Sequence, residues 1–494
     1  MQLIKKWIPV IILGFLLASC EKDEESLNTN SNFTEEQQNE NTSGVDPAIA
    51  IEDFIYRGLN DIYLYKAEVP ELTDNYFSND NEKYDFLAGH NSPEKLFNAL
   101  KYEDDRFSFL TDNYSDLENS FQGISGSTGI KYGIGQISGT NNVFGYLRYV
   151  LPGTSAAEAG LTRGTVFTEV NGTQLTSSNF NNLLNADSFT INIGKIEDNR
   201  IYMTEKTVTL TDDPYTSNPI LLAKTFEMGG KKIGYLMYTS FISDFDDELN
   251  TAFGDFKANG ITDFILDLRY NGGGSVVSAI DLASMITGQF EGKVFMKEQW
   301  NQDYQSYLER QDPESIINRF DSKIRNGATI NSLNLNKIYV LTSPSSASAS
   351  ELVINGLDPY IDIIQIGTNT VGKFQASVTL YDSPNFKKQN VNPNHKYAVQ
   401  PLVFKSINSA GRTDYVNGLA PDIEYREDLN NLGMLGDENE PLLQLALNDI
   451  LGRAQRSQEL LSNGKGDKFM LLGESGMKGF NFQEMYIDEV PELQ

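Results

Sequence analysis

Hydrophobic and polar positions divide the chain into regions of different periodicity. Over residues 47–122 apolar side chains recur every three or four positions, the spacing of amphipathic helices. Over residues 123–214 short alternating apolar segments are bounded by glycine or asparagine, which is typical of strands and turns. Over residues 215–425 apolar strand patterns alternate with helical ones. We therefore predict a multidomain α/β protein with an N-terminal helical domain, a β-rich domain and an α/β core.

The two ends of the chain have different compositions. Basic residues precede a short apolar run at residues 7–18, which is shorter than the roughly 20 residues needed to span a bilayer. This pattern predicts a secretory signal peptide over residues 1–19. Residues 20–46 are rich in Asn, Ser, Thr, Glu and Gln and predict a disordered tether. Residues 426–494 predict one helix, near 441–451, followed by a polar tail.

Charge and composition narrow the classes of partner and chemistry. The 494 residues include 39 Lys and Arg against 68 Asp and Glu, for a net charge of −29, which argues against nucleic acid as a partner. No metal or organic cofactor is suggested. The two histidines, His90 and His395, stand in polar loop sequences, so each is read first as a surface residue and only second as a catalyst. Conventional Ser-His-Asp chemistry therefore has little support.

A run of serines follows the apolar strand pattern KIYVLT and precedes a helical pattern. One interpretation is that Ser345, Ser346, Ser348 and Ser350 simply cap that helix, which serine does well. The other is that Ser348 is a nucleophile, because unpaired amides and the helix dipole at a helix start stabilise negative charge. The local sequence leaves both open.

A glycine triplet follows another apolar strand pattern, FILDL, and also precedes a helix. It consists of Gly272, Gly273 and Gly274. Glycines at such a position allow a substrate backbone to approach and can direct an amide at a carbonyl oxygen. The chain has no GxxxxGK[ST] motif, which disfavours a phosphate-binding role for the triplet.

A serine nucleophile needs a base, and Lys373 lies 25 residues after Ser348. A lysine serves as a base when burial lowers its pKa from about 10.4 towards about 7–8. Lys373 follows an apolar strand pattern and is flanked by Val371, Gly372 and Phe374, which is an apolar setting. The alternative is an exposed lysine at a strand end.

Together these motifs resemble those of a known family. The strings LDLRYNGGG, SSASASELV and TVGK, behind YGIG, PGTSAAEAGL and RGTVFTEVNG, resemble the S41 peptidases, the carboxyl-terminal processing proteases, with a PDZ-like domain at residues 123–214. The resemblance implies a ClpP/crotonase-like α/β core at 215–425, with Ser348 as nucleophile and Lys373 as general base. It also implies an oxyanion site from the amides of Ser348 and of the glycine triplet. Phe107 stands where the histidine-using branch has histidine, which favours the lysine branch.

The third catalytic partner departs from the family pattern. Many members read GKGxxQ, where the glutamine orients the lysine. In this chain Ser377 occupies the glutamine position and Gln375 comes two residues early. Either residue is a candidate third partner, and the sequence leaves the choice open.

The resemblance also implies how peptides are selected. PDZ domains add a peptide as an extra strand and capture its terminal carboxylate with backbone amides. The matching carboxylate-loop position consists of Tyr132, Gly133, Ile134 and Gly135. The alternative is an ordinary entry into a strand.

Residues 17–20, Leu-Ala-Ser-Cys, resemble the bacterial lipobox, in which the cysteine is lipidated. Cys20 is the only cysteine, so an intramolecular disulfide is excluded. The acidic residues directly after it resemble an outer-membrane export tag of Gram-negative lipoproteins, or else begin the tether.

The sequence therefore predicts a secreted serine endopeptidase, anchored in the membrane through lipidated Cys20, that acts on protein or peptide substrates through their C-termini. Two alternatives stay open: an inactive S41-like surface lipoprotein that serves as a peptide-binding scaffold, and a glycan-binding outer-membrane module. The natural substrate and the oligomeric state are not predicted.

Overall fold

The computed structural model describes residues 47–453, 457 and 470–491. The predicted signal peptide, Cys20 and the tether lie outside these residues. Among the helices that it describes, none is long and apolar enough to cross a membrane.

The N-terminal region is mainly helical, as the periodicity predicts. Its elements are α1 (Ala50–Ile62), α2 (Asp80–Ala88), α3 (Pro93–Leu100), β1 (Phe109–Thr111) and α4 (Tyr114–Phe121). Helix α1 buries one apolar face, and the side chain of Ser92 caps α3 by accepting from the amide of Lys95. Strand β1 pairs with a strand of the α/β core, residues 398–400, and so fixes this region to the core.

A β-rich region follows. Its elements are β2 (Ile124–Ser127), β3 (Ile130–Gln136), β4 (Val143–Val150), α5 (Ser155–Glu158), β5 (Val166–Phe167), β6 (Glu169–Val170), β7 (Thr173–Gln174), α6 (Phe180–Leu183), β8 (Ser188–Glu197), β9 (Arg200–Thr211) and β10 (Asp213–Thr216). The sheet order is β3-β4-β5-β8-β6-β7, with β9 on β8, and β2 pairs with β10. Alternate side chains of these strands, including Ile134 and Leu147, form a separate core.

The third region is the predicted α/β core. Its elements are β11 (Ile220–Met228), β12 (Lys231–Tyr238), α7 (Asp246–Asn259), β13 (Asp263–Asp267), β14 (Gly274–Ser275), α8 (Val276–Thr287), β15 (Val294–Trp300), α9 (Gln302–Gln311), β16 (Ile317–Arg319), β17 (Lys337–Thr342), α10 (Ala349–Leu357), β18 (Asp362–Gly367), β19 (Gln375–Val378), β20 (Leu380–Tyr381), β21 (Ala398–Gln400), β22 (Leu402–Asn408), β23 (Ile423–Glu424) and α11 (Pro441–Ile450).

The central sheet of this core has the order β11-β12-β13-β17-β18-β23 and is parallel from β12 onward. Helices α7, α8 and α10 cover one face, where Leu266 and Val340 point, and α11 covers the other, where Ile265 and Leu341 point. Because β13 and β17 are parallel neighbours, the segments that follow them meet at one edge. The glycine triplet and the serine run are therefore brought together.

The C-terminal tail departs from the sequence prediction of a polar tail. Strand β24 (Leu471–Glu474) adds antiparallel to β3 of the β-rich region. Strand β25 (Met485–Ile487) lies between β14 and β19 and is parallel to both. These strands are only four and three residues long, too short for alternation to reveal them in a single sequence.

Candidate active site

Ser348 stands at the N-cap of α10 in a strained backbone conformation. Its φ is 59° and its ψ is −115°, a combination that residues other than glycine rarely adopt and that occurs mainly at functional sites. The residue has no solvent exposure, and its Oγ donates to the carbonyl oxygen of Gln483 at 2.8 Å. Ser348 therefore occupies the cap position, yet its hydroxyl points towards the C-terminal tail.

Glu351 holds the Ser348 turn and the Lys373 turn together. Its buried carboxylate accepts from the amides of Ser348 at 2.8 Å, Gly372 at 2.7 Å and Lys373 at 2.9 Å, and from the hydroxyl of Thr370 at 2.5 Å. Burial raises the pKa of Glu351, although these donors oppose the shift. This role was not predicted from the sequence, although the spacing Ser-x-x-Glu at 348–351 is the capping-box pattern and indicates the contact with the Ser348 amide.

The amide of Ser348 is consequently not free for an oxyanion, since it donates to Glu351. The prediction that this amide stabilises an oxyanion is wrong in this structure. The amide of Ala349, the next residue, has no acceptor among the residues described, and it begins helix α10.

The glycine triplet forms the turn that faces Ser348. The amide of Gly273 donates to the side chain of Asn271 at 2.8 Å, whereas the amide of Gly274 donates to the carbonyl oxygen of Glu484 at 2.6 Å. A Cβ atom on Gly273, where φ is +115°, would lie 2.6 Å from the Cβ of Ser348, 3.1 Å from the Ala349 nitrogen and 2.4 Å from the Glu484 carbonyl oxygen. Only glycine permits this close approach.

The three glycines thus have different roles. The amide of Gly274 donates to a backbone carbonyl oxygen of the same chain, that of Glu484, and its role as an oxyanion donor stays a prediction. Gly273 provides space, and its own amide is engaged by Asn271. A Cβ atom on Gly272 would lie 3.1 Å from the backbone nitrogen of Gln483, so Gly272 lies against the tail.

Lys373 is buried and faces an acid from the tail. Its Nζ donates to Glu484 Oε2 at 2.9 Å, and both side chains are almost completely closed to solvent. The Nζ also lies 4.8 Å from the ring centroid of Phe107, a cation–π distance. In the described part of the chain Lys373 makes no hydrogen bond with Ser348. Burial raises the pKa of Glu484, opposed by the charge of Lys373 and by the hydroxyl of Ser377.

The two candidate third partners have different contacts. The side chain of Gln375 donates to the hydroxyl of Tyr65 at 2.9 Å and makes no hydrogen bond with Lys373 in the described part of the chain. Ser377 contacts the other carboxylate oxygen of Glu484 and accepts from Gln400 Nε2 at 2.9 Å. Gln400 lies 27 positions after Lys373, and nothing in the sequence indicated it.

Residues Tyr132, Gly133, Ile134 and Gly135 lie within strand β3 and not in a loop. Their backbone groups pair with β4 on one side and β24 on the other, and the side chain of Ile134 is buried in the β-rich core. The predicted nest of exposed amides for a terminal carboxylate is therefore absent from these four residues. The edge of β3 is occupied by β24 of the same chain, and the addition of a substrate peptide at this edge stays a prediction.

Arg148 joins the β-rich region to the serine run. From strand β4 its guanidinium donates to Ser345 Oγ at 3.0 Å and pairs with Glu474 of β24. It also lies over the ring of Tyr270, which directly precedes the glycine turn, with 4.8 Å to the centroid. The side chain of His395, which is 9% exposed, pairs instead with Asp382 at 3.0 Å, and the ring of His90 packs on Phe86. Neither histidine contacts Ser348.

Comparison with known proteins agrees with this arrangement. Residues 232–425 match the model of peptidase family S41, and residues 50–109 match the model of the peptidase S41 N-terminal domain. The crystal structure of an S41 protease from Bacteroides fragilis superposes with a TM-score of 0.63 at 26% identity, over 81% of this chain and 97% of that one. The α/β core therefore has the S41 protease fold.

A curated relative matches a smaller part of the chain. The carboxyl-terminal-processing protease of Picosynechococcus is 26% identical over 255 residues, which are 51% of this chain and 53% of that protein. The chain thus spans about half the length of this relative. The two family models, the order of their domains and the superposition all agree: the chain belongs to peptidase family S41, whose members are serine-type peptidases.

Proposed function

We propose that this protein is a serine endopeptidase that hydrolyses peptide bonds of protein or peptide substrates, with Ser348 as nucleophile and Lys373 as general base. The observation that carries this proposal is the position of Ser348. It stands in a strained turn at the start of α10, opposite the Gly274 amide, which already binds a peptide carbonyl oxygen at 2.6 Å. An amide directed at a carbonyl oxygen beside a serine hydroxyl is what acyl transfer requires.

In the proposed reaction the neutral amine of Lys373 accepts the proton of Ser348 while Oγ attacks the scissile carbonyl carbon. The amides of Gly274 and Ala349 bind the resulting oxyanion, and the start of α10 adds the favourable end of its helix dipole. Lys373 then returns the proton to the leaving amine, and water hydrolyses the acyl-enzyme. Glu351 acts as a positioning residue, because it holds both turns at once.

We further propose that the β-rich region, residues 123–214, is PDZ-like and selects substrates through their C-terminal segments. Its support is the edge of β3, to which β24 of the same chain adds as an antiparallel strand. An extended substrate would pair with the same edge. The carboxylate would bind outside residues 132–135, since their amides belong to the sheet.

The second candidate function is a peptide-binding scaffold without catalysis. It is favoured by one observation, the absence of a hydrogen bond between Lys373 and Ser348 in the described structure, with Lys373 bound to Glu484 instead. Such a scaffold would use the same strand edges and would release no product.

Cleavage of an unfolded, fluorescently labelled protein tests the two candidates. The chain from Cys20 onward is compared with its Ser348→Ala and Lys373→Ala variants and with Ser322→Ala, a matched change at an exposed serine. The endopeptidase proposal expects cleavage by the parent and by Ser322→Ala and none by the other two. Cleavage that survives Ser348→Ala would exclude the proposed nucleophile.

The anchor and the location are also proposals, since Cys20 lies outside the described residues. We expect Cys20 to be lipidated and the protein to reside in the outer membrane of a Gram-negative cell envelope. Metabolic labelling with a fatty acid and membrane fractionation test this, with Cys20→Ser as the variant expected to lose both the label and the membrane association.

A further inference from the structure

The C-terminal segment, defined here as residues 470–491, occupies two peptide-binding edges at once. Strand β24 pairs with β3, with Glu474 opposite Gly133. Strand β25 fills the groove between β14 and β19, with Met485 opposite Gly274 and Ile487 opposite Val378. An extended chain in that groove has the backbone pairing that a bound peptide would have.

Two adjacent residues of this segment engage the catalytic groups. The carbonyl oxygen of Gln483 accepts from Ser348 Oγ at 2.8 Å. Glu484 places its carbonyl oxygen on the Gly274 amide at 2.6 Å and its carboxylate on Lys373 at 2.9 Å. Glu484 therefore binds both the proposed oxyanion donor, the Gly274 amide, and the proposed base, Lys373.

The segment also closes the site to solvent. Ser348 and Lys373 have no exposed surface, and Glu484 is 2% exposed. The segment is held by contacts on each side of Glu484. The ring of Phe480 stacks on Phe109 with centroids 5.7 Å apart, and the ring of Tyr486 stacks on Phe121 at 3.9 Å. A substrate cannot reach Ser348 while these contacts persist.

The backbone of the C-terminal segment pairs in the groove as a substrate would, but the side chain of Glu484 leaves the proposed catalytic groups in an unproductive arrangement. Lys373 Nζ donates to Glu484 at 2.9 Å and makes no hydrogen bond with Ser348 in the described part of the chain. Ser348 in turn donates its hydrogen to a carbonyl oxygen, as a resting hydroxyl does. Neither group can begin acyl transfer until the carboxylate of Glu484 leaves Lys373.

We propose that the C-terminal segment is an intramolecular inhibitor of the peptidase, in which Glu484 binds the general base while β25 fills the substrate groove. The inference rests on the proposed function, because the segment can inhibit only if the protein is a peptidase. Whether the segment occupies the groove can be tested without catalysis. The substrate groove is occupied by the C-terminal segment of the same chain, and displacement of Glu484 opens the site.

The occupancy test uses hydrogen exchange followed by mass spectrometry on the Ser348→Ala chain from Cys20 onward. The added variant is Glu484→Gln, and the matched control is Glu489→Gln, an exposed acid five residues later whose side chain is 68% exposed. We expect the amides of residues 484–487 to exchange at least about tenfold faster in Glu484→Gln, because removal of one partner leaves Lys373 buried and unpaired. The control should match the parent. Rapid exchange of these amides in the parent would overturn the proposal.

The activity test uses the same substitutions with Ser348 intact, together with a chain ending at residue 469. We expect Glu484→Gln and the shortened chain to cleave an unfolded protein at least about tenfold faster than the parent, a loss of inhibition of about 1.4 kcal/mol or more. Glu489→Gln should match the parent. Because the shortened chain loses strands from two sheets and could fail to fold, Glu484→Gln carries the test by itself.

The outcomes separate the two proposals. Equal, Ser348-dependent cleavage by the parent and Glu484→Gln would overturn the inhibitor and leave the peptidase intact. No cleavage by any variant would overturn the peptidase, and hydrogen exchange would still decide whether the segment occupies the groove. Cleavage of the parent itself after Gln483 or Glu484, seen as a shortened intact mass that Ser348→Ala abolishes, would make the segment a substrate and overturn its role as inhibitor.

Discussion

Lys373 Nζ and Glu484 Oε2 lie 2.9 Å apart, although the two residues are separated by 111 positions in the chain and both are buried. The lysine that the sequence proposes as a base is therefore paired with an acid from the C-terminal segment. We expect this pair to be the part of the site that is most sensitive to substitution, because a buried charge that loses its partner is costly.

We expect Glu351 to position the turns of Ser348 and Lys373 without contacting the substrate. In Glu351→Gln one carboxylate oxygen becomes an amino group that faces amide donors, so the turns of Ser348 and Lys373 lose their common acceptor. We expect kcat to fall by about 100-fold through misplacement of the two turns, and stability to fall by about 1–3 kcal/mol from the unpaired donors. Steady-state kinetics and thermal unfolding measure both effects. Glu248→Gln, at an exposed acid of α7, is the control, and an unchanged kcat in Glu351→Gln would contradict the role.

Gly273 should tolerate no side chain. Its φ of +115° and the 2.4 Å approach to the Glu484 carbonyl oxygen mean that Gly273→Ala both strains the turn and pushes the segment away from the oxyanion donor. We expect cleavage to fall by about 100-fold, as when an oxyanion donor is lost, and residues 484–487 to exchange faster. Gly139→Ala is the matched control, since Gly139 has a φ of +77° but open space around its Cβ position. Normal activity in Gly273→Ala would argue against the proposed turn.

Arg148 and Glu474 should be strongly coupled. Their side chains are only 8% and 10% exposed, so Arg148→Met or Glu474→Met alone leaves a mostly buried charge without its partner. We expect each single change to lower the free energy of local opening of β24 by about 3–5 kcal/mol and the double change to cost less than the sum. Hydrogen exchange at residues 471–474 measures this opening. The exposed pair Lys195 and Glu197 is the control cycle, with an expected coupling below about 1 kcal/mol.

Asp281 should make stability depend on pH. Burial, reinforced by the nearby Asp246, raises the pKa of Asp281 to about 8. The folded state therefore holds a proton that the unfolded chain releases near its usual pKa of about 4, so the stabilisation is complete below that pH and is lost as the pH rises through about 8. We expect Asp281→Asn to raise the unfolding temperature at about pH 9 and to change it little at about pH 4. Asp255→Asn, at an exposed residue of α7, should have no effect at either pH, and an equal shift at both would contradict the assignment.

The sequence by itself determined the parts of this protein that depend on local periodicity and short-range chemistry. Alternation of apolar strand and helix patterns predicted the α/β core, and the family resemblance implied that Ser348 and the glycine triplet belong to one site. The proximity itself depends on β13 and β17 being parallel neighbours in the sheet, and the structure shows that pairing. The Ser-x-x-Glu spacing at 348–351 is a local signal for the contact of Glu351 with the Ser348 amide, although it was not among the predictions made from the sequence.

Only the tertiary structure decided which groups contact Lys373. Whether Ser377 or Gln375 stands near it depends on the direction each side chain takes from β19, and the structure directs Gln375 to Tyr65. Glu484 directly precedes a three-residue strand, β25, whose pairing with β14 and β19 closes very long loops. A segment that short carries almost no periodicity, and its stability comes from partners that only the folded chain brings within reach.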